Sequence, residues 1–188
     1  MNERAMPSDE QARAVLESWL ADWYAPAYRT ARLVLGNHAE AEDAVQDAFL
    51  RLWRFRDSIP EGEAARAWLY RVVVNACFSR ARTEGRQRAT QPGGGPVGTD
   101  SVASRAPGPE EAAEEHLQAS VVRGAIAALP EQLRVPVVLR YFSGLSEREI
   151  GVAIQRRPGT VKSRLHEAKR RLEADPALAG IFESEAAK

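Results

Sequence analysis

A chain of 188 residues accommodates one domain of average size or two small ones, and 44% hydrophobic with 28% charged residues describes a globular protein rather than a disordered or fibrous one. Its single cysteine, Cys77, excludes an internal disulfide and a cysteine-rich metal site, no apolar run approaches the ~18 residues of a membrane span, and the polar, acidic start is unlike a secretory signal, so a cytoplasmic protein without membrane insertion is expected. The 26 basic and 26 acidic residues cancel but are unevenly spread: 11 Arg stand against 12 Asp or Glu in residues 1–82, whereas residues 134–172 carry ten Arg or Lys against three Glu, an end that seeks an anion.

The first helix is predicted from apolar residues recurring through Val15, Leu16, Trp19, Leu20, Trp23, Tyr24, Ala27, Ala31 and Leu35, with Gly36-Asn37 as its stop. A second begins near Ala39. Ala41, Val45, Ala48, Phe49 and Leu52 share its inner face, leaving Asp43, Gln46, Asp47, Leu50 and Arg54 outside. Residues 57–63 read as a loop, and a third helix spans about 65–82 with Leu69, Val72, Val73 and Ala76 as its core stripe. The opposite stripe, Trp68, Arg71, Asn75, Ser79 and Arg82, lines up a ring, two guanidiniums, an amide and a hydroxyl, groups that stack on and hydrogen-bond to unpaired bases.

Residues 92–109 contain four Pro and five Gly with no aromatic residue, too little apolar surface to offset the entropy of ordering, and read as a flexible linker. The fold class is therefore all-α with two small helical domains, bounded at 1–88 and 114–188 with the linker at 89–113. In the second domain Pro136 lies inside a helix from Glu131 to Phe142, where its missing N–H is expected to kink or restart the helix. Next come a capping box from Ser146 to Glu149 and a hydrophobic staple of Leu145 and Ile150. That helix ends near Ile154, Gln155-Arg156-Arg157 forms a turn, and Pro158 opens a last helix that runs to about Leu172.

Val161, Leu165, Ala168 and Leu172 face inward on this last helix, and Lys162, Ser163, His166, Glu167 and Arg170 face outward. Two short helices and a tight turn make a helix-turn-helix, whose second helix enters the major groove because only that groove is wide enough and distinct enough to read. Arg156, Arg157, Arg164, Lys169 and Arg171 surround it as phosphate contacts. On these residues alone a helix-turn-helix repressor or activator, with the first domain sensing or dimerising, competes with a factor that also handles unpaired bases. An enzyme using His38, Asp43 and Asp47 lacks the paired ligand motif of helical-bundle metal sites.

The joint order of several segments resembles the bacterial extracytoplasmic-function (ECF) sigma factors of the sigma-70 family. Asp43-Ala44-Val45-Gln46-Asp47-Ala48-Phe49-Leu50-Arg51-Leu52-Trp53 and Trp68-Leu69-Tyr70-Arg71-Val72-Val73-Val74-Asn75 resemble region two. Ala128-Leu129-Pro130, Leu139-Arg140-Tyr141-Phe142, Gly144-Leu145-Ser146, Glu149-Ile150 and Gly159-Thr160-Val161-Lys162-Ser163-Arg164-Leu165 resemble region four.

The resemblance implies that Asp43, Gln46, Asp47, Leu50 and Trp53 dock on the β′ clamp of core RNA polymerase, and that the second domain meets the β flap. It implies that Trp68, Arg71, Asn75, Ser79, Arg80 and Arg82, with the 57–63 loop, melt and capture the −10 promoter element. Arg156, Arg157, Thr160, Lys162, Ser163, Arg164, His166, Glu167 and Arg170 would then contact the −35 element. An anti-sigma factor is an implied partner; no catalytic residue, metal, cofactor or small-molecule substrate is. The two promoter elements would lie one and a half to two helical turns apart, on the order of 50–70 Å. The chain departs from the family where Gln155 replaces a usual Gly, Arg156 an apolar residue and Arg157 a cap Ser, so a looser turn is expected. Glu167 replaces a usual basic residue, so it either accepts from a cytosine or repels a phosphate.

Overall fold

The computed structural model describes residues 9–59, 63–90 and 111–179, and all regular structure among them is helical. The linker composition at 92–109 and residues 60–62 of the expected loop lie outside the described residues, as do the side chains of Val15 and Leu16. The first arm comprises α1 (Asp9–Leu35), α2 (His38–Arg54), a 3₁₀ turn (Arg56–Ser58) and α3 (Glu63–Thr90). Gly36, at φ +79°, ends α1, and the Asn37 side chain then accepts from the Glu40 N–H as the N-cap of α2. Two residues thus close one helix and open the next.

These three helices pack mutually. Ala27, Ala31 and Val34 of α1 meet Ala41, Ala44, Val45, Ala48, Phe49 and Leu52 of α2, with Leu69, Tyr70, Val73, Val74, Ala76 and Cys77 of α3 completing the core. The many alanines allow close approach of the helix axes, and burial pushes the Cys77 thiol up to about 12. That removes its reactive thiolate at neutral pH. The helix α3 extends well beyond the expected 82.

The second arm comprises α4 (Glu111–Ala128), α5 (Glu131–Val137), a π-helical turn (Val138–Phe142), α6 (Glu147–Ile154) and α7 (Pro158–Glu173). With α3 reaching Thr90 and α4 starting at Glu111, helix overlaps both ends of the 89–113 segment. The interruption expected at Pro136 takes the form of wider winding: the Ser143 N–H donates to the Val138 carbonyl, five residues back, at 3.2 Å. Leu133, Val135, Val138, Leu139, Leu145, Ile150, Ala153, Val161 and Ala168 form this arm's core.

The arms also pack on each other. α3 lies along α6, α1 meets the π-helical turn, and the apolar cluster runs through both.

Candidate polymerase and nucleic-acid interfaces

The helix-turn-helix is built from local chemistry. The Ser146 side chain accepts from the Glu149 N–H, and the Glu149 carboxylate accepts from the Ser146 N–H at 2.7 Å and from its hydroxyl at 2.6 Å. The Ser146 hydroxyl and N–H together hold the Glu149 carboxyl below its usual range. Both strands of the capping box are therefore made.

The turn corrects the expected looseness. Gln155 adopts a left-handed conformation at φ 54°, and the Arg156 N–H donates to the Gly151 carbonyl at 2.9 Å. A Cβ on Gly151 would come within 2.7 Å of the Arg156 carbonyl oxygen. The missing glycine at 155 is tolerated as local strain, and Gly151 supplies the room that closure requires. Pro158 opens α7, where the absent N–H costs nothing.

The face of α7 presents Lys162, Ser163, His166 and Arg170 to solvent, with Thr160, Arg164 and Glu167 half-buried and Arg156 and Arg157 exposed in the turn. The Ser163 hydroxyl donates to the Gly159 carbonyl at 2.9 Å, which leaves its lone pairs, not its proton, free to face solvent. Glu167 is engaged: it accepts from Arg170 at 2.7 Å and from Arg171 at 2.8 Å, and the Arg171 and Arg170 guanidiniums hold its carboxyl below the usual range. Glu167 thus fixes two cations on the edge of α7.

On α3, Arg71 and Arg82 are exposed, and Trp68, Asn75 and Ser79 are half-buried. Ser79 donates to the Asn75 carbonyl at 2.9 Å and Arg82 to that of Phe78 at 3.1 Å. Trp68 rests partly against the core with its stripe still in line. Arg80 is placed apart from this row. Its guanidinium reaches α2, 2.9 Å from Asp43 and 3.5 Å from Asp47, so one residue expected at DNA joins two expected at polymerase.

The outer face of α2 carries exposed Gln46 and, at 65% exposure, Leu50. Trp53 is half-buried, with the Arg56 guanidinium 4.8 Å from its ring centroid. Phe55, 54% exposed, extends this apolar margin and was not singled out by periodicity because it follows the last helical residue. Tyr141 and Phe142, part of a segment that carries the family resemblance, are exposed on the π-helical turn, which periodicity did not indicate. Among the described residues no group of three or more His, Cys, Asp or Glu could hold a metal ion, and no helix is long and apolar enough to cross a membrane.

This is a helical protein in which a capped helix-turn-helix packs against a helix that bears an outward row of Trp68, Arg71 and Arg82. Residues 19–87 match the family model for sigma-70 region 2, and residues 120–172 match that for sigma-70 region 4. The chain is 32% identical over 167 residues to the ECF RNA polymerase sigma factor SigL of Mycobacterium tuberculosis, covering 86% of this chain and 89% of that one. It is 32% identical over 145 residues to the ECF sigma factor SigE of Mycolicibacterium smegmatis; this covers 77% of this chain but only 55% of that relative's length. The sigma factor RpoE from Bartonella quintana, solved in complex with the anti-sigma factor NepR, superimposes with a TM-score of 0.69 at 26% identity, covering 85% of this chain and 95% of that one. The chain belongs to the ECF sigma factors of the sigma-70 family.

Proposed function

We propose that the protein binds core RNA polymerase and directs promoter-specific initiation, with residues 1–88 and 114–188 as its two working domains and 89–113 as their linker. The α2 face with Asp43, Gln46, Asp47, Leu50 and Trp53 meets the β′ clamp, and the second arm meets the β flap. Trp68, Arg71, Asn75, Ser79 and Arg82 take the unpaired bases of the −10 element, with Arg80 available to DNA once it leaves its carboxylates. The exposed α7 row with Arg156, Arg157, Thr160 and Arg164 reads the −35 element in the major groove. The protein performs no chemistry of its own, acts in the cytoplasm, and is a partner for an anti-sigma factor, the kind of protein seen with its Bartonella relative.

The observation that carries this reading is the presence on one chain of two unlike nucleic-acid surfaces: a cationic helix exposed for duplex DNA, and an aromatic stripe suited to single strands. A helix-turn-helix regulator needs only the first. Titration of core polymerase with the labelled protein tests the polymerase contact. Asp47→Lys is expected to weaken core binding about tenfold, ~1.4 kcal/mol, while costing the fold under ~1 kcal/mol, because the ion pair it breaks is half-exposed. Unchanged affinity would place the clamp contact elsewhere.

A further inference from the structure

Between α3 and the α6–α7 turn lies an open cleft of about 890 Å³, within the range of ~300–1,000 Å³ common for small-ligand sites. Among the described residues, four guanidiniums line it, those of Arg71, Arg148, Arg156 and Arg157, against the single carboxylate of Glu149. That carboxylate is already engaged by the Ser146 hydroxyl and N–H. Arg156 donates to the Gln155 carbonyl, and among the described residues no hydrogen bond or ion pair engages the side chains of Arg71, Arg148 and Arg157. Like charges on facing walls repel one another, and a concave site focuses their field on an anion that enters it. The walls are fixed nearby: the Thr30 hydroxyl of α1 lies 2.9 Å from that of buried Ser143, and the Ser143 carbonyl accepts from the Arg66 guanidinium of α3.

The rest of the lining selects the kind of anion. Trp68 contributes an aromatic ring, with Ala67 and Val152 as apolar surface beside it, a wall that suits a flat heterocycle and gains nothing from a bare inorganic ion. The guanidiniums suit a run of phosphates, each of which can take a bidentate contact. We propose that the cleft binds a nucleoside di- or triphosphate, with its base against Trp68 and its phosphates among Arg71, Arg148, Arg156 and Arg157. The positive charge comes from arginine, so binding needs no bridging divalent cation. Arg148 has no part in the promoter contacts proposed above, and the cleft gives it one. A bound nucleotide covers Trp68, Arg71, Arg156 and Arg157 together and so competes with DNA for them; this consequence, unlike the binding itself, rests on the sigma-factor reading.

Isothermal titration calorimetry of the intact chain in EDTA, at matched ionic strength, tests the site with ATP, pyrophosphate and adenosine as probes. ATP is expected to bind in the micromolar range and pyrophosphate about tenfold more weakly, because it lacks the stacked base. Adenosine, without phosphates, is expected to be weaker still. Arg148→Glu should weaken ATP by about tenfold or more, and it suits the fold because an acidic residue in the first turn of α6 favours that helix; an unchanged urea midpoint checks this. Trp68→Ala should bring ATP down to the affinity of pyrophosphate, and Trp68→Phe should restore most of the difference. No heat with millimolar ATP, equal affinity for ATP and pyrophosphate, or equal affinity of wild type and folded Arg148→Glu for ATP would each overturn the proposal. So would a short single-stranded oligonucleotide whose binding depends on Arg148 and which ATP does not displace. Saturating ATP should also displace a labelled random duplex, and a duplex that stays bound would overturn the competition. Calorimetry uses no polymerase, so a chain that binds ATP in this way but supports no transcription upholds the nucleotide site and removes only the sigma-factor reading.

Discussion

Single residues set the tightest constraints in the second arm. Gly151 is required by the approach of the Arg156 carbonyl, which a Cβ would meet at 2.7 Å. Gly151→Ala should therefore cost about 1–3 kcal/mol, an overpacking penalty taken against backbone that cannot swing away. Urea unfolding checks this, and a variant as stable as the wild type would mean that the turn relaxes freely. Glu149 gives the arm a dependence on acid. Its carboxyl is held below the ordinary 4.5 by the Ser146 hydroxyl and N–H, so it adds stability above that value and the contribution is lost as pH falls through the lower folded value. Glu149→Gln keeps the shape of the box without the charge. The difference in urea midpoint between wild type and this variant should be largest near neutrality and shrink below pH 4.5, whereas a constant gap would rule out the carboxylate as its source. The capping box itself was legible in the sequence because it is a local pattern of four residues. The role of Gly151 was not, since its close contact is made by a carbonyl five positions on, in a turn whose family glycine is replaced by Gln155.

Among the elements, α7 divides into residues proposed to read DNA and residues that hold their neighbours in place. Lys162→Ala and Ser163→Ala should each reduce discrimination between matched and mismatched −35 duplexes by about 1–3 kcal/mol. Glu167 behaves differently because it neutralises Arg170 and Arg171 in the free chain. Glu167→Gln should release both guanidiniums to phosphates, tighten binding to random duplex, and steepen its salt dependence by up to about two units. An unaltered salt slope in a fluorescence-anisotropy series would show that the two arginines already reach phosphate in the wild type. Helix faces were readable wherever apolar spacing was regular, as in α2, whose inner face is fully buried as the sequence implies. The ion pairs of Arg80 were not legible for a physical reason: its place on α3 is one step from Ser79, but its long side chain reaches across to Asp43 and Asp47 on α2, a direction that spacing within one helix does not encode. Pro136 was noticed for the hydrogen bond it removes, whereas the π-helical turn that follows depends on where Ser143 and Leu145 find carbonyls, Val138 and Leu139 respectively.

At the scale of the whole molecule, two arms with separate partner surfaces share one apolar cluster and one polar tie. Composition and periodicity indicated two helical units, and the family resemblance gave their order. Which face of α3 meets α6 was invisible, because Thr30, Arg66 and Ser143 carry no motif and come together only through packing between distant segments. We propose that these surfaces serve one event, promoter-specific initiation by core RNA polymerase. Run-off transcription tests it most directly, using purified core enzyme, the intact protein and a library of promoter regions from its own genome. Transcripts with defined start sites are expected only when the protein is added, and are expected to be lost with Trp68→Ala and with Lys162→Ala in the same reactions. Folded protein that binds duplex DNA yet yields no start site dependent on its addition would contradict it.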